Sequence, residues 1–253
     1  MIQLFALVAG FSTTVFTVGA EKPNIVLIIA DDLGYGELGF QGCTEIPTPH
    51  IDSIAKNGTR FTDGYVTCSM CYPSRAGMMT GRHQVRFGIE GNPPIKERNY
   101  GVPGSEPMLA ERLKKLGYAT GLIGKWHLGP THELTPLRRG FDEFYGIHHG
   151  GHSFLSTSKQ RTKGPLMRGD QEITEETYLT TALGREAVNF VDRHHRTPFF
   201  LCLSFTAVHK PLEATEADLK RFPDMKPGKR KTHAAMTVSM DDAVGKVLAS
   251  LQA

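Results

Sequence analysis

Residues 24–36 read NIVLIIADDLGYG, and this stretch decides the fold class. Its first part, residues 24–30, is a continuous apolar run rich in β-branched side chains, which is typical of a strand buried on both faces of a parallel sheet. Two carboxylates, Asp31 and Asp32, follow the strand and open a glycine-rich turn. Ligands of open α/β sheets bind outside the carboxyl ends of the strands. The stretch therefore predicts a buried strand that ends at a binding site.

Asp31 and Asp32 have the chemistry of ligands for a hard metal ion. Adjacent carboxylates repel each other unless a cation holds them, and oxygen donors select Ca²⁺ or Mg²⁺ over zinc. A structural explanation is equally compatible with the two residues alone, since one Asp could cap the next helix while the other is solvated.

Downstream segments alternate between strand patterns and helix patterns. The predicted strands are residues 24–30, 59–66, 118–124 and 198–205, and the predicted helices are residues 49–56, 106–116, 175–194 and 234–251 with one more beginning near Cys71. Such alternation is typical of βαβ units. We therefore predict an α/β fold with a mainly parallel central sheet flanked by helices, and we expect residues 146–170 to be its least ordered loop.

A second informative stretch, CYPSRAGMMTG, covers residues 71–81. Pro73 suits the first turn of a helix, so Cys71 is expected at a helix N-terminus, where free N–H groups favour an anion. Arg75 lies one turn further on roughly the same face, and its planar guanidinium suits an oxyanion. The stretch predicts a nucleophile beside an oxyanion site. Alternatively, Cys68 and Cys71 could form a redox pair, a disulfide or half of a zinc site.

Two further segments place cationic or titratable side chains after predicted strands. Lys125 and His127 follow the third strand and would point to the same side of an extended chain. His209 follows the fourth strand. An ammonium group and imidazoles at strand ends suit oxyanion binding and proton transfer. His148, His149 and His152 could form a metal cluster, although a mobile surface loop is the favoured interpretation.

The 71–81 run resembles the signature of the type I sulfatases, Cys-x-Pro-Ser-Arg followed by Thr-Gly. The segment Lys125-Trp-His-Leu-Gly129 resembles a second sulfatase motif, and His209 lies where the family has a substrate-binding His, with a looser local match. The resemblance extends from about Lys22 to the last residue. It implies the alkaline phosphatase/sulfatase-like fold, with residues 21–253 as the N-terminal part of a sulfatase catalytic domain.

The resemblance also implies a reaction, the hydrolysis of sulfate monoesters of aryl or carbohydrate groups. A maturation enzyme would oxidise Cys71 to formylglycine, whose hydrate attacks sulfur and expels the alcohol. His127 would then take a proton from the remaining hydroxyl. Arg75 would stabilise the hydrate, and Lys125 and His209 would hold sulfate oxygens.

For the metal, the resemblance implies Ca²⁺, with Mg²⁺ as a possibility, held by Asp31, Asp32 and the modified residue 71. In the family, a helix like residues 234–251 leads into a strand whose final Asp-Asn pair completes the site, and a substrate-binding Lys follows. Neither is present in this sequence. Asp241 and Asp242 lie within the predicted helix, so we expect them on a solvated face.

This apparent truncation leaves alternatives to a working sulfatase. One is a non-catalytic sulfatase remnant, and another is a phosphonate or phosphate monoester hydrolase, because related enzymes share the nucleophile motif. A missing strand would also expose a sheet edge and apolar surface.

Composition narrows the class of partners and the location. The 253 residues have 40% hydrophobic content and a net charge of +3, which gives no basis for nucleic-acid binding. Residues 1–20 are apolar and end in a small-x-small pattern, so they predict a cleavable signal peptide and an exported protein. No later stretch is long enough to anchor the protein in a membrane. The predicted substrate is a sulfated small molecule or glycan.

Overall fold

The computed structural model describes residues 22–94, 97, 99–155 and 164–253. The predicted signal peptide, residues 1–20, lies outside the described residues. Within the described part, no helix has both the length and the apolar character needed to cross a membrane.

A six-stranded sheet forms the centre of the fold. Its strands are β1 Ile25–Ile29, β2 Ala119–Lys125, β3 Glu143–Ile147, β4 Leu166–Arg168, β5 Gln171–Ile173 and β6 Phe199–Ser204. They are arranged in the order β1-β6-β2-β3-β4-β5. The first four strands in this order are parallel, whereas β4 and β5 are antiparallel additions at one edge. The prediction of a mainly parallel sheet is confirmed.

Helices cover both faces of this sheet. They are α1 Pro49–Asn57, α2 Cys71–Thr80, α3 Leu109–Lys115, α4 Leu179–His194, α5 Glu216–Leu219 and α6 Lys229–Ser250, with short 3₁₀ helices at Gly39–Gln41, Gln84–Phe87, His132–Leu134 and Pro136–Arg138. Alternate side chains of each strand point to opposite faces. Accordingly, Leu201 and Leu203 of β6 pack against α4 and α6, whereas Phe200 and Cys202 lie in the core that contains α2 and α3.

The predicted strand at residues 59–66 is wrong, because this segment has no strand structure. Phe61, Tyr65 and Val66 have strand-forming side chains, but they are 80%, 86% and 70% exposed. β-propensity reflects packing on a half-buried sheet surface, and here no sheet surface covers these side chains. The residues form an exposed connection into α2.

The helix predicted at residues 106–116 begins later than expected. Its N-cap is Met108, and its first helical residue is Leu109. Glu106 N–H donates to Pro103 O in a turn, and the Glu111 carboxylate accepts from Met108 N–H at 2.7 Å. Glu111 therefore satisfies the Met108 N–H at the start of the helix.

The prediction that Asp241 and Asp242 lie on a solvated face is wrong for Asp241. Asp241 is 1% exposed, and its two oxygens accept from His50 N–H at 3.2 Å and Ile51 N–H at 2.8 Å. These N–H groups belong to the first turn of α1 and have no acceptor within that helix. Asp241 therefore caps α1 from the neighbouring α6, while Asp242 pairs with Arg221 at 2.6 Å.

β1 forms one edge of the sheet, and this edge is open in the described chain. All five β1 residues are only half-buried. A groove of about 540 Å³ lies on the face that carries Val26 and Ile28, and a second cavity of about 370 Å³ runs along β1 to Asp31 and α2. The expected exposed sheet edge is therefore present.

Candidate active site

The strand order brings the predicted site residues together. β1, β6 and β2 are adjacent and parallel, so their carboxyl ends lie at the same edge of the sheet. Asp31 follows β1, Ser204 ends β6 and Lys125 ends β2. Arg75 reaches this edge from α2. All four residues are at most 4% exposed.

Arg75 is the principal donor of this cluster. Its Nη1 donates to Lys125 O at 3.0 Å and to Ser204 Oγ at 2.5 Å, and its Nη2 donates to Asp31 Oδ1 at 3.2 Å. Ser204 Oγ in turn donates to Lys125 O at 2.7 Å. The guanidinium is thus fixed by the scaffold. It can stabilise a nearby negative charge through its own charge and with little rearrangement.

Ser204 is a site residue that sequence reasoning missed. It lies inside an apolar strand pattern, and its role depends on the pairing of β6 with β2. The only sequence signal is a hydroxyl at the end of an otherwise apolar run.

Lys125 and Arg75 share one carboxylate. Lys125 Nζ lies 2.6 Å from Asp31 Oδ2, while Arg75 holds Asp31 Oδ1. Burial and the charge of Arg75 lower the pKa of Lys125, and Asp31 opposes that shift. Two cationic groups therefore contact one buried carboxylate, while the second carboxylate, Asp32, lies at the open side of the same site. The N–H groups of Arg75 and Lys125 are donors that can bind an anion.

Asp32 and His209 lie at the open side of the same edge. Asp32 has a left-handed backbone with φ of 58°, and its Oδ2 lies 3.6 Å from His209 Nε2. The backbone is held by bonds from Asp31 N–H to Ala207 O and from Val208 N–H to Asp31 O. The end of β1 and the segment after β6 are thereby tied together.

Cys71 is the first residue of α2, as the sequence predicts. The helix ends at Thr80, and Gly81 follows with φ of 68°, a left-handed conformation that glycine adopts without strain. Met70 provides no side-chain cap. Instead, Asn92 Oδ1 accepts from Tyr72 N–H at 3.1 Å and from Cys71 Sγ at 3.6 Å.

His127 is buried, but it does not continue the extended strand as expected. Its φ is 58°, and its N–H donates to His148 O. The Nδ1 atom is buried with no hydrogen-bond partner in the described chain. Burial, followed by the charges of Lys125 and Arg75, lowers the pKa of His127 to about 2. The imidazole is therefore neutral at physiological pH, as a proton acceptor must be.

Two tyrosine rings surround the His127 imidazole. Tyr72 and Tyr100 lie with ring centroids 5.9 Å and 6.0 Å from it. Their own rings meet edge to face at 5.4 Å. Sequence reasoning did not identify either ring, because Tyr72 looks like an ordinary core residue of α2.

The segment from His148 to His152 is not the surface loop that was favoured from sequence. His152 is 1% exposed, and its Nδ1 pairs with Ser153 O at 2.8 Å. His148 stacks on Phe144 with ring centroids 5.0 Å apart. The rest of the segment is half-buried, and its Gly150 lies next to the His127 imidazole.

One group of described side chains lies close enough together to be considered as a metal site. Among the described residues, His50, Asp241 and Asp242 have ligand atoms within 4.8 Å of one another. Both Asp241 oxygens already accept backbone N–H groups, so we assign this cluster the capping role described above. Asp31 and Asp32 offer the hard oxygen donors that Ca²⁺ or Mg²⁺ requires, but two carboxylates fall short of six ligands.

All four cysteines are free thiols. Cys68 and Cys71 are not joined by a disulfide, and no zinc-type cluster includes them within the described residues. Cys71 lines the same cavity as Asp31, Asp32 and Arg75, and its role as a nucleophile stays a prediction.

Comparison with known families agrees with this geometry. The model of the sulfatase family matches residues 23–253, so the chain belongs to the sulfatase family. Human N-acetylgalactosamine-6-sulfatase is 34% identical over 257 residues, which cover 92% of this chain and 47% of that protein. Human arylsulfatase A is 47% identical over 146 residues, which cover 57% of this chain and 28% of that protein.

Solved structures of similar fold include one determined with a bound oligosaccharide. The crystal structure of Ps i-CgsB in complex with k-i-k-neocarrahexaose is 42% identical with a TM-score of 0.88, covering 92% of this chain and 55% of that chain. A phosphonate monoester hydrolase from Agrobacterium radiobacter, 17% identical with a TM-score of 0.64, shares the fold. The chain spans about half the length of the curated relatives that it matches.

Proposed function

We propose that this chain carries the nucleophile and anion-binding half of a sulfuric ester hydrolase. The observation that supports this most directly is the cavity of about 370 Å³ lined by Cys71, Arg75, Asp31 and Asp32. It combines a residue at a helix N-terminus, a buried guanidinium and two carboxylates. These are the parts that attack on a sulfate ester requires.

Residue 71 supplies the nucleophile in this proposal. Oxidation of the Cys71 thiol by a maturation enzyme would give formylglycine, whose hydrate offers a hydroxyl group at the position that Sγ occupies. Arg75 stabilises negative charge there from its fixed position. Lys125 and His209 bind sulfate oxygens, and neutral His127 accepts a proton when sulfate is released.

Asp31 and Asp32 would hold the divalent cation, together with residue 71, and a bound cation would share or replace the contacts that Arg75 and Lys125 make with the two Asp31 oxygens. Their oxygen donors fit Ca²⁺ or Mg²⁺ better than zinc. A bound cation would polarise a sulfate oxygen. The remaining ligands would have to come from water or from polypeptide outside the described residues.

We further propose a sulfated glycan as the substrate class. Human N-acetylgalactosamine-6-sulfatase and the Ps i-CgsB complex with k-i-k-neocarrahexaose are both named for carbohydrates, and each match covers 92% of this chain. Export, as the sequence of residues 1–20 suggests, would bring the enzyme to such polymers.

A non-catalytic remnant is the second candidate, because the buried cluster of Asp31, Arg75 and Lys125 could bind an anion without turnover. The two candidates differ in one covalent feature, the state of residue 71.

The decisive experiment is a tryptic peptide map of the protein from its own source, combined with an assay on sulfated oligosaccharides. A sulfatase gives an aldehyde mass in peptide Phe61–Arg75 and releases sulfate, whereas Cys71→Ala releases none. Cys43→Ala serves as the matched thiol control and should retain activity. An unmodified thiol, or turnover by Cys71→Ala, would contradict the proposal.

A further inference from the structure

Asn92 contacts the nucleophile-bearing helix, although it lies outside the 71–81 motif. It belongs to the segment that follows the 3₁₀ helix Gln84–Phe87. Buried Ile89 anchors this segment in the core shared with α2 and α3. Pro93 follows Asn92 and restricts its backbone to extended conformations. A constrained connection therefore delivers the Asn92 side chain to the N-terminus of α2.

The Asn92 amide has a defined orientation in this contact. Tyr72 N–H can only donate, so the atom that faces it at 3.1 Å must be the carbonyl oxygen Oδ1. The same oxygen lies 3.6 Å from Cys71 Sγ. A carbonyl oxygen has two lone pairs and can accept from both groups at once. The amide NH₂ group consequently points away from the helix.

This contact replaces a missing cap. Helix α2 has no acidic residue in its first turn and no side-chain cap from Met70. Pro73 has no N–H, and Ser74 N–H donates to Met70 O. Tyr72 N–H thus depends on Asn92 for its acceptor. Asn92 Oδ1 also accepts a hydrogen bond from the side chain of residue 71.

We infer that Asn92 is a positioning residue, which fixes the side chain of residue 71 through an acceptor at Oδ1. A hydrogen-bond acceptor stabilises the protonated form of its partner, which is the Cys71 thiol in the unmodified protein. If the proposed function holds, the partner becomes a hydroxyl of the modified residue, and this part of the inference rests on that function. Holding one hydroxyl in a fixed direction leaves the other free to face the substrate.

The experiment compares Asn92→Leu, which removes the acceptor at similar volume, with Asn92→Asp, which keeps an oxygen at the same place. The control is Asn57→Leu, at the exposed end of α1. In unmodified protein, tandem mass spectrometry of fragment ions from peptide Phe61–Arg75 measures iodoacetamide alkylation of Cys71, with the free thiol Cys43 on another tryptic peptide as the internal reference. We expect alkylation of Cys71 to accelerate at least about threefold in Asn92→Leu, since a weak hydrogen bond is lost. Neither Asn92→Asp nor Asn57→Leu should accelerate it.

In the matured enzyme, Asn92→Leu should lower kcat about 10- to 100-fold with KM little changed, because a misdirected nucleophile loses its alignment. Asn92→Asp should restore part of that loss. Equal alkylation rates in wild type and Asn92→Leu would overturn the inference, whatever the activity. Altered alkylation in a protein without aldehyde or turnover would support it while contradicting the sulfatase proposal, so the two failures are distinguishable.

Discussion

At the scale of single residues, the site depends on close packing around His127. Gly150 lies against this imidazole, and a Cβ at Gly150 would approach His127 Cε1 and Nε2 to 2.9 Å. Such an approach requires the ring or the loop to move. The position of His127, the proposed proton acceptor, therefore depends partly on the lack of a side chain at Gly150.

We therefore expect Gly150→Ala to lower kcat by about tenfold or more, because small displacements of reacting groups are costly. Gly104→Ala is the matched control, since a Cβ there meets nothing within 4 Å. Steady-state kinetics on a sulfated oligosaccharide measure both variants. Equal kcat values for the two variants would show that the Gly150 contact does not position His127.

His148 gives a residue-scale prediction about pH. Burial, followed by the charge of His149, lowers the pKa of His148 to about 4. The unfolded chain, with its ordinary His pKa near 6.5, therefore binds protons more readily than the folded chain. The stabilisation is present above pH 6.5 and is lost as the pH falls toward 4.

His148→Phe keeps a flat ring to stack on Phe144 but cannot bind a proton. Between pH 6.5 and pH 4, we expect the free energy of unfolding to fall less in His148→Phe than in wild type. The difference between the two decreases should be at most about 3 kcal/mol. Urea unfolding at several pH values measures this difference. His132→Phe, at an exposed site, is the control. Parallel pH curves for wild type and His148→Phe would refute the assignment.

At the scale of secondary-structure elements, α6 and α1 are joined by a buried cap. Asp241 accepts from two N–H groups of α1, whereas Asp242 on the same helix pairs with Arg221 near the surface. Neighbouring carboxylates of one helix thus have different roles. The difference arises from the packing of α1 against α6.

Asp241→Ala should reduce the free energy of unfolding by about 1–3 kcal/mol, because two buried donors lose their acceptor. Asp242→Ala should cost less than about 1 kcal/mol, since an exposed ion pair contributes little. Urea denaturation of the two variants provides the comparison. A larger loss in Asp242→Ala than in Asp241→Ala would exclude the capping role.

At the scale of the whole molecule, the open β1 edge and its flanking grooves leave a large apolar surface in the described chain. Phe61 and Val66 are the most exposed of the large hydrophobic side chains that line these grooves. An unpaired edge strand with apolar surroundings promotes association between chains.

We expect the 253-residue chain to self-associate as its concentration increases. The double substitution Phe61→Ser, Val66→Ser should weaken this association, as measured by sedimentation velocity. Leu116→Ser, at an exposed apolar position that follows α3, should not. Unchanged association of the double variant would show that a different surface is responsible.

The sequence by itself determined the strand Ile25–Ile29, the helix that begins at Cys71 and the mainly parallel sheet. The strand and the helix are local features, because an apolar run and Pro73 can each be recognised without knowing what packs against them. The parallel sheet follows from the alternation of strand and helix patterns along the chain. The structure brings Asp31, Arg75 and Lys125 together as the motif spacing suggested. The metal ligands and the modification of Cys71 remain predictions.

Only the tertiary structure decided the roles of Ser204, Asn92 and Asp241, and the conformation of residues 59–66. Each depends on a partner far away in the sequence. Ser204 meets Arg75 across the sheet, Asn92 meets the N-terminus of α2, and Asp241 meets α1. Local sequence fixes which hydrogen-bonding groups and apolar surfaces a segment offers. The long-range packing of strands and helices decides which of those groups find a partner.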